Sequence, residues 1–258
     1  MDAHSSNKVM AIIEHRRGRF KKISYETIAC GRQIADAFEA ELFGVIFSWN
    51  QQWAHPLKAF GQFGLDRVLC VRNPVFSEFL TDHWIDAATK IIQRERPRFS
   101  LMGSTICGRD LAARIGARLN IPVEMNCEAI NFKNKRLEVV RSIKGGDLLV
   151  WLAVNQAPAL LTIRHNCFPI QKSHRAVTTE ILNLDVDPSE VKLIETREQP
   201  DVVDLTEADV VIGGGRGMGG PDFTILESLA RQLNGVVGAS RSAVDLGWRP
   251  YSEQIGQT

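Results

Sequence analysis

The sequence lacks most of the features that mark secreted, metal-binding or membrane-spanning chains. Its five cysteines, Cys30, Cys70, Cys107, Cys127 and Cys167, are scattered, odd in number and contain no C-x-x-C pair. That argues against a disulfide framework and for buried thiols kept reduced. No two cysteines or histidines stand at zinc-ligand spacing, so no metal site is expected. A net charge of +1 leaves no excess of either sign for nucleic acid or a membrane surface. The best apolar run, Leu148 to Val154, is far shorter than the ~20 residues of a membrane span. The opening MDAHSSNK has no apolar signal core, and there is no internal repeat or low-complexity tract. Together these absences predict a cytoplasmic protein.

What is present is an alternation of apolar runs and helical faces. Val9–Ile13, Glu41–Phe47, Asp66–Val71 and Phe99–Met102 read as buried strands. Ile28, Gly31, Ala35 and Phe38 share one helix face after Ser24. Phe79, Trp84, Ala87 and Ile91 suggest a second helix, closed by Pro97. Leu111, Ile115 and Leu119 suggest a third over 110–119, with Asp110 and Arg114 placed to pair on its outer side. This rhythm predicts βαβ units and a mainly parallel, Rossmann-like sheet. From Val123 to Ile163 strand formers dominate, and turns at 131–134 and Gly145-Gly146 predict hairpins before a last strand, Ala159–Ile163. His174–Pro200 is polar, with two short extended runs, and reads as an interdomain linker. The expected domains are 1–190 and 200–258.

The second domain opens with a strand at Asp209–Ile212, a glycine-rich turn, and a helix capped by Asp222. Phe223, Leu226, Leu229, Ala230 and Leu233 mark the helix's apolar face, and a strand at Val236–Gly238 comes next. Gly215-Arg216-Gly217-Met218-Gly219-Gly220 matches G-x-G-x-x-G between strand and helix. Such a turn lets backbone and helix N-terminus approach a diphosphate. It also fits a tight turn with no ligand. A third reading is an NADP site, because Ser240-Arg241 stands where the Rossmann fingerprint carries its ribose-binding residue.

A longer pattern runs from the turn to the C-terminus. GGRG is succeeded by Gly238-Ala239-Ser240-Arg241, Ala243-Val244-Asp245, Gly247-Trp248-Arg249-Pro250, and Gln254-Ile255-Gly256-Gln257-Thr258. In order and spacing this resembles the flavin domain of electron transfer flavoprotein alpha subunits. Ile12-Ile13-Glu14-His15, Gly108-Arg109-Asp110-Leu111, Gly145-Gly146 and Pro158 to Arg164 resemble that family's first domain. Members continue past QIGQT, so a C-terminally truncated chain is expected, with a sheet short of strands and a helix face partly exposed.

The resemblance implies a first domain that serves as a platform for a beta subunit, and the beginning of a second α/β domain that binds FAD. It implies an electron carrier rather than an enzyme. The carrier would move electrons from flavin dehydrogenases, such as the acyl-CoA dehydrogenases of fatty acid beta-oxidation, to a quinone oxidoreductase or another acceptor. Arg216 would lie against the diphosphate. Ser240 and Arg241 would stand near the flavin ring, and Ile255, Gly256, Gln257 and Thr258 would form a loop under it. A fixed cation at Arg241 would favour negative charge on the reduced ring. An NADP-linked oxidoreductase and a non-catalytic nucleotide-binding scaffold are the alternatives. His15 reads as part of a solvated loop, and Arg109, Arg114 and Arg118 as a charged outer face. Cys107, at a helix start, is a position where thiol pKa values fall.

Overall fold

The computed structural model describes residues 6–16, 18–50, 53, 56–133, 136–196 and 205–256. They fall into two compact units, Met1–Leu193 and Ile194–Thr258. The first unit starts with β1 (Ser6–Ile12), a small antiparallel pair β2 (His15–Arg16) and β3 (Arg19–Phe20), and α1 (Lys22–Ala37). It continues with β4 (Glu41–Ser48), β5 (Arg67–Arg72), α2 (Thr81–Glu95), β6 (Pro97–Gly103) and α3 (Ile106–Leu119). Then come β7 (Val123–Cys127), β8 (Ala129–Lys133), β9 (Arg136–Ile143), β10 (Leu148–Val154), β11 (Ala159–Ile163) and β12 (Thr178–Asn183).

Seven of these strands form one all-parallel sheet, in the order β12-β5-β4-β1-β6-β11-β7. This is the expected Rossmann-like α/β arrangement. The unbroken apolar runs have a simple cause, because successive side chains of a strand point to opposite faces and both faces are covered. Val9, Ala11 and Ile13 pack with Ile28 and Ile34 of α1. Met10 and Ile12 pack on the other side with Trp84 and Ile91 of α2 and Leu111 and Ile115 of α3.

Several sequence expectations need correction. The first extended run in the stretch read as a linker, Val177–Leu184, is a true strand: β12 pairs in parallel with β5 from Thr178↔Arg67 to Asn183↔Arg72 and joins the sheet. It lies at the sheet's edge, so its side chains stay largely exposed and its composition resembles that of a linker. Val191–Glu195 forms no strand. Val123–Cys127 belongs to the parallel sheet, beside β11; the hairpins proper are β8-β9-β10. α1 begins at Lys22 and so already contains Ser24. Its hydroxyl donates to the Glu14 carbonyl at 2.9 Å and accepts from the Glu14 amide at 2.8 Å. α3 starts at Ile106, four residues early, because the Thr105 hydroxyl caps it by accepting the Gly108 amide at 2.9 Å. The Asp110–Arg114 pair forms as expected, at 2.8 Å.

The second unit holds β13 (Val211–Gly214), α4 (Thr224–Gln232), β14 (Val236–Ser240), α5 (Arg241–Asp245) and β15 (Gln254–Ile255). Its sheet is parallel, in the order β13-β14-β15. Phe223, Ala239 and Ala243 are its buried centre. On the apolar face of α4, Phe223 and Ala230 are buried while Leu229 and Leu233 remain 43% and 49% exposed. Among the described residues no helix is long and apolar enough to cross a membrane.

Candidate functional site

Ligands of open parallel sheets gather at the carboxyl ends of the strands. In the second unit three segments leave that edge. The first is the glycine turn after β13, which closes as a 3-10 turn over Arg216–Met218. The Met218 amide donates to the Gly215 carbonyl at 2.9 Å, and the Gly219 amide to the Arg216 carbonyl at 3.1 Å. Gly219 has φ +74°, a left-handed conformation that costs glycine nothing. On one side the turn is packed tight: a Cβ on Gly214 would meet the Phe223 ring at 2.4 Å. On the other side it borders open space, where a Cβ at Gly217, Gly219 or Gly220 would meet no atom within 4 Å. Asp222 accepts the Thr224 amide at 3.0 Å and so satisfies a first-turn donor of α4.

The second segment is Ser240-Arg241, at the step from β14 into α5. Ser240 faces the glycine turn, with its Oγ 3.1 Å from where a Gly215 Cβ would lie. Arg241 is exposed, and its Nε pairs with Asp245 at 3.4 Å, one turn along α5. The third segment is β15, with Ser240 opposite Ile255. The Ile255 side chain reaches glycines of both β14 and β13, meeting the Cβ positions of Gly238 and Gly213 at 2.6 and 2.7 Å. Gly256 comes next, with φ +90°. Gln257 and Thr258, also expected at the site, lie outside the described residues.

Sequence reasoning missed two residues here. Asp245 partly neutralises Arg241. Arg249 donates to Glu253 at 2.5 Å and to Glu227 of α4 at 2.8 Å, and its guanidinium stands 5.4 Å from the Phe223 ring centre. The i, i+4 spacing of Arg241–Asp245 and Arg249–Glu253 was visible in the sequence.

In the first unit a carboxylate stands at the same edge. The strand order reverses between β1 and β6, the position where such sheets bind nucleotides. The Glu14 carboxylate sits there, accepting the Thr105 hydroxyl at 3.0 Å at the start of α3. A Cβ on Gly103 would meet Glu14 at 2.9 Å. Its neighbour His15 is not the solvated loop residue expected. The ring packs edge-on against Trp53 at 4.9 Å and Phe20 at 6.1 Å, and Nε2 lies 2.8 Å from the Phe47 carbonyl. Burial lowers its pKa, with the Phe47 carbonyl acting in the opposite sense. Cys107 also departs from expectation. Burial, then the Glu14 charge, pushes its thiol up rather than down.

Comparison with known proteins shows the family to which both units belong. The family model described as the electron transfer flavoprotein domain matches residues 9–189, and that described as the electron transfer flavoprotein FAD-binding domain matches residues 204–258. The chain belongs to the electron transfer flavoprotein alpha-subunit family. It is 33% identical over 253 residues to the alpha subunit of Thermoanaerobacterium thermosaccharolyticum, covering 95% of this chain and 76% of that one. It is 31% identical to protein FixB of Clostridium saccharobutylicum, covering 97% of this chain and 76% of that one. With the alpha subunit of Bacillus subtilis the identity is 28%, over 97% of this chain and 77% of the other. Electron transfer flavoproteins are FAD-dependent electron carriers. The residues present fit that cofactor: one side of the glycine turn is open, and two arginines stand at this sheet edge, Arg216 within the turn and Arg241 at the start of α5.

Proposed function

We propose that this chain is the FAD-holding alpha subunit of a two-subunit carrier, paired with a beta subunit through its first domain, 1–190, and holding the cofactor in its second, 200–258. The carrier has no substrate of its own. It works in the cytoplasm, taking electrons from flavin dehydrogenases such as acyl-CoA dehydrogenases and passing them to a quinone oxidoreductase. One relative, from Anaerotignum propionicum, is named acryloyl-CoA reductase electron transfer subunit beta, which fits a donor or acceptor in acyl-CoA chemistry.

Bound FAD supplies the redox chemistry. The chain's own residues hold and bias it. Arg216, on the glycine turn, holds the diphosphate through its planar fork. Ser240 and Arg241 would stand beside the ring, where Arg241 would supply a fixed cation for the negative charge that grows on reduction. Ile255 and Gly256 would lie beside the ring, and the resemblance assigns Gln257 and Thr258 to the same loop, where polar groups could serve its N5 edge. The observation that carries this reading is the convergence of the glycine turn, Ser240 and β15 at one sheet edge.

The test is to coexpress the full-length protein with its beta subunit. Yellow protein with one FAD per heterodimer supports the reading. Colourless protein that takes up no added FAD, or that binds NADPH instead, overturns it.

A further inference from the structure

We infer that Arg249 is a positioning residue for the flavin site, acting as a bolt between its two walls; this rests on the FAD reading. One wall is the glycine turn, which is braced from below by Phe223: that ring occupies the space a Cβ on Gly214 would need. The other wall is β15, which lies directly after Glu253 and pairs with Ser240. Arg249 reaches both. Its Nη1 donates to Glu227 at 2.8 Å on α4, the helix that Phe223 leads into, and its guanidinium lies 5.4 Å from the Phe223 ring. Its Nε donates to Glu253 at 2.5 Å.

The side chain is only 20% exposed and Glu253 25%, so both are better shielded than an ordinary surface pair. Arginine suits this task because one rigid fork can serve two carboxylates at once, while a lysine ammonium is a point charge on a flexible stem. Beyond the Ile255 contacts, β15 has only two residues, and the buried centre formed by Phe223, Ala239 and Ala243, with Met218, Leu226, Val237, Val244 and Trp248 packed against it, is small. Fixing the spacing between the turn and β15 is therefore a task for specific side-chain links. Arg249 itself contacts neither the open side of the turn nor Ser240 in any described hydrogen bond, so its effect on a bound flavin passes through what it holds.

The test uses the full chain with its beta subunit, stripped of FAD and titrated back with FAD. Arg249→Ala should raise the FAD Kd about tenfold, the loss expected from one well-shielded charge-assisted link. It should also shift the visible absorption bands of the flavin that remains bound. Arg249→Lys should rescue little of either. Glu253→Gln, which leaves the link to Glu227, should move Kd and spectrum in the same direction as Arg249→Ala. An Asp110→Asn control on the first unit should leave both unchanged. If Arg249→Ala loses the amide-exchange protection of α4, it has failed to fold, and Arg249→Lys and Glu253→Gln then decide. Unchanged Kd, within about twofold, and an unchanged spectrum in the folded variants would overturn the bolt while leaving the FAD reading intact. Failure of the unmodified protein to bind FAD would overturn both.

Discussion

Gly214 and Phe223 approach so closely that the glycine has no room for a side chain, with 2.4 Å between the Cβ position and the ring. Phe223 is 2% exposed and has few directions in which to yield. Gly214→Ala is therefore expected to destabilise the second unit by about 1–3 kcal/mol, the usual cost of overpacking. Gly217→Ala, where the same added methyl group meets open space, should cost far less stability but should weaken FAD by intruding on the cradle. Urea unfolding and FAD titration of the two variants separate these effects.

Arg241 and Asp245 form an ion pair at 3.4 Å with both side chains 63% exposed. Their removal should shift the flavin in opposite senses. Arg241→Ala removes the cation and should lower the potential for the first electron, whereas Asp245→Asn removes its neutralising partner and should raise it. A screened charge near the ring is worth on the order of 1 kcal/mol or more. For one electron, with about 59 mV per tenfold, that is a shift of roughly 50 mV. Redox titration of the flavin-loaded heterodimer measures it. Shifts of the same sign in the two variants would remove the electrostatic role.

Two carboxylates of the first unit make its stability depend on acid. Burial alone would raise the pKa of Asp66, but the Leu42 amide, Arg32 and Arg175 outweigh it and hold the group below the ordinary carboxylate range. Burial likewise acts to raise Glu95, and Lys8 and Arg67 outweigh it. Because both pKa values are lowered on folding, the stabilisation is fully present above the unfolded values, near pH 4. It is lost as pH falls further, through the folded values. The free energy of unfolding should thus drop below about pH 4, and Asp66→Asn should flatten that drop. A first unit whose stability does not change between pH 5 and pH 3 would contradict this.

β9 and β10 offer a contrast between buried and exposed positions on paired strands. Val139 is fully buried in the main core, whereas Trp151, on the neighbouring strand, is 61% exposed. Val139→Ala should cost about 1–3 kcal/mol through the cavity it leaves. Trp151→Ser should change stability by no more than ~0.5 kcal/mol despite removing the larger side chain. Denaturant melts of both variants check the ordering.

The sequence revealed most where one physical signal acted alone. Strands such as Glu41–Ser48 are covered on both faces, so they appear as apolar runs with near-correct ends. It revealed least at edges. β12 pairs through its backbone to β5, and backbone hydrogen bonds leave no trace in side-chain composition, so a polar edge strand reads as a linker. His15 misled for a related reason. Its neighbours in sequence are charged, while the rings that enclose it come from Phe20 and Trp53. At the carboxyl edge of the second sheet, the glycine turn and Ser240-Arg241 stood out because they form an ordered motif. Arg249 did not, since its link to Glu227 spans 22 residues and only the tertiary fold brings the two together.

The Glu14 carboxylate, seated on Thr105 at the reversal of the first sheet, has a stoichiometric consequence. A dinucleotide phosphate arriving there would meet a negative group already occupying the helix start. The amount of flavin released per chain on denaturation should not exceed one, with the whole of it contributed by the smaller unit.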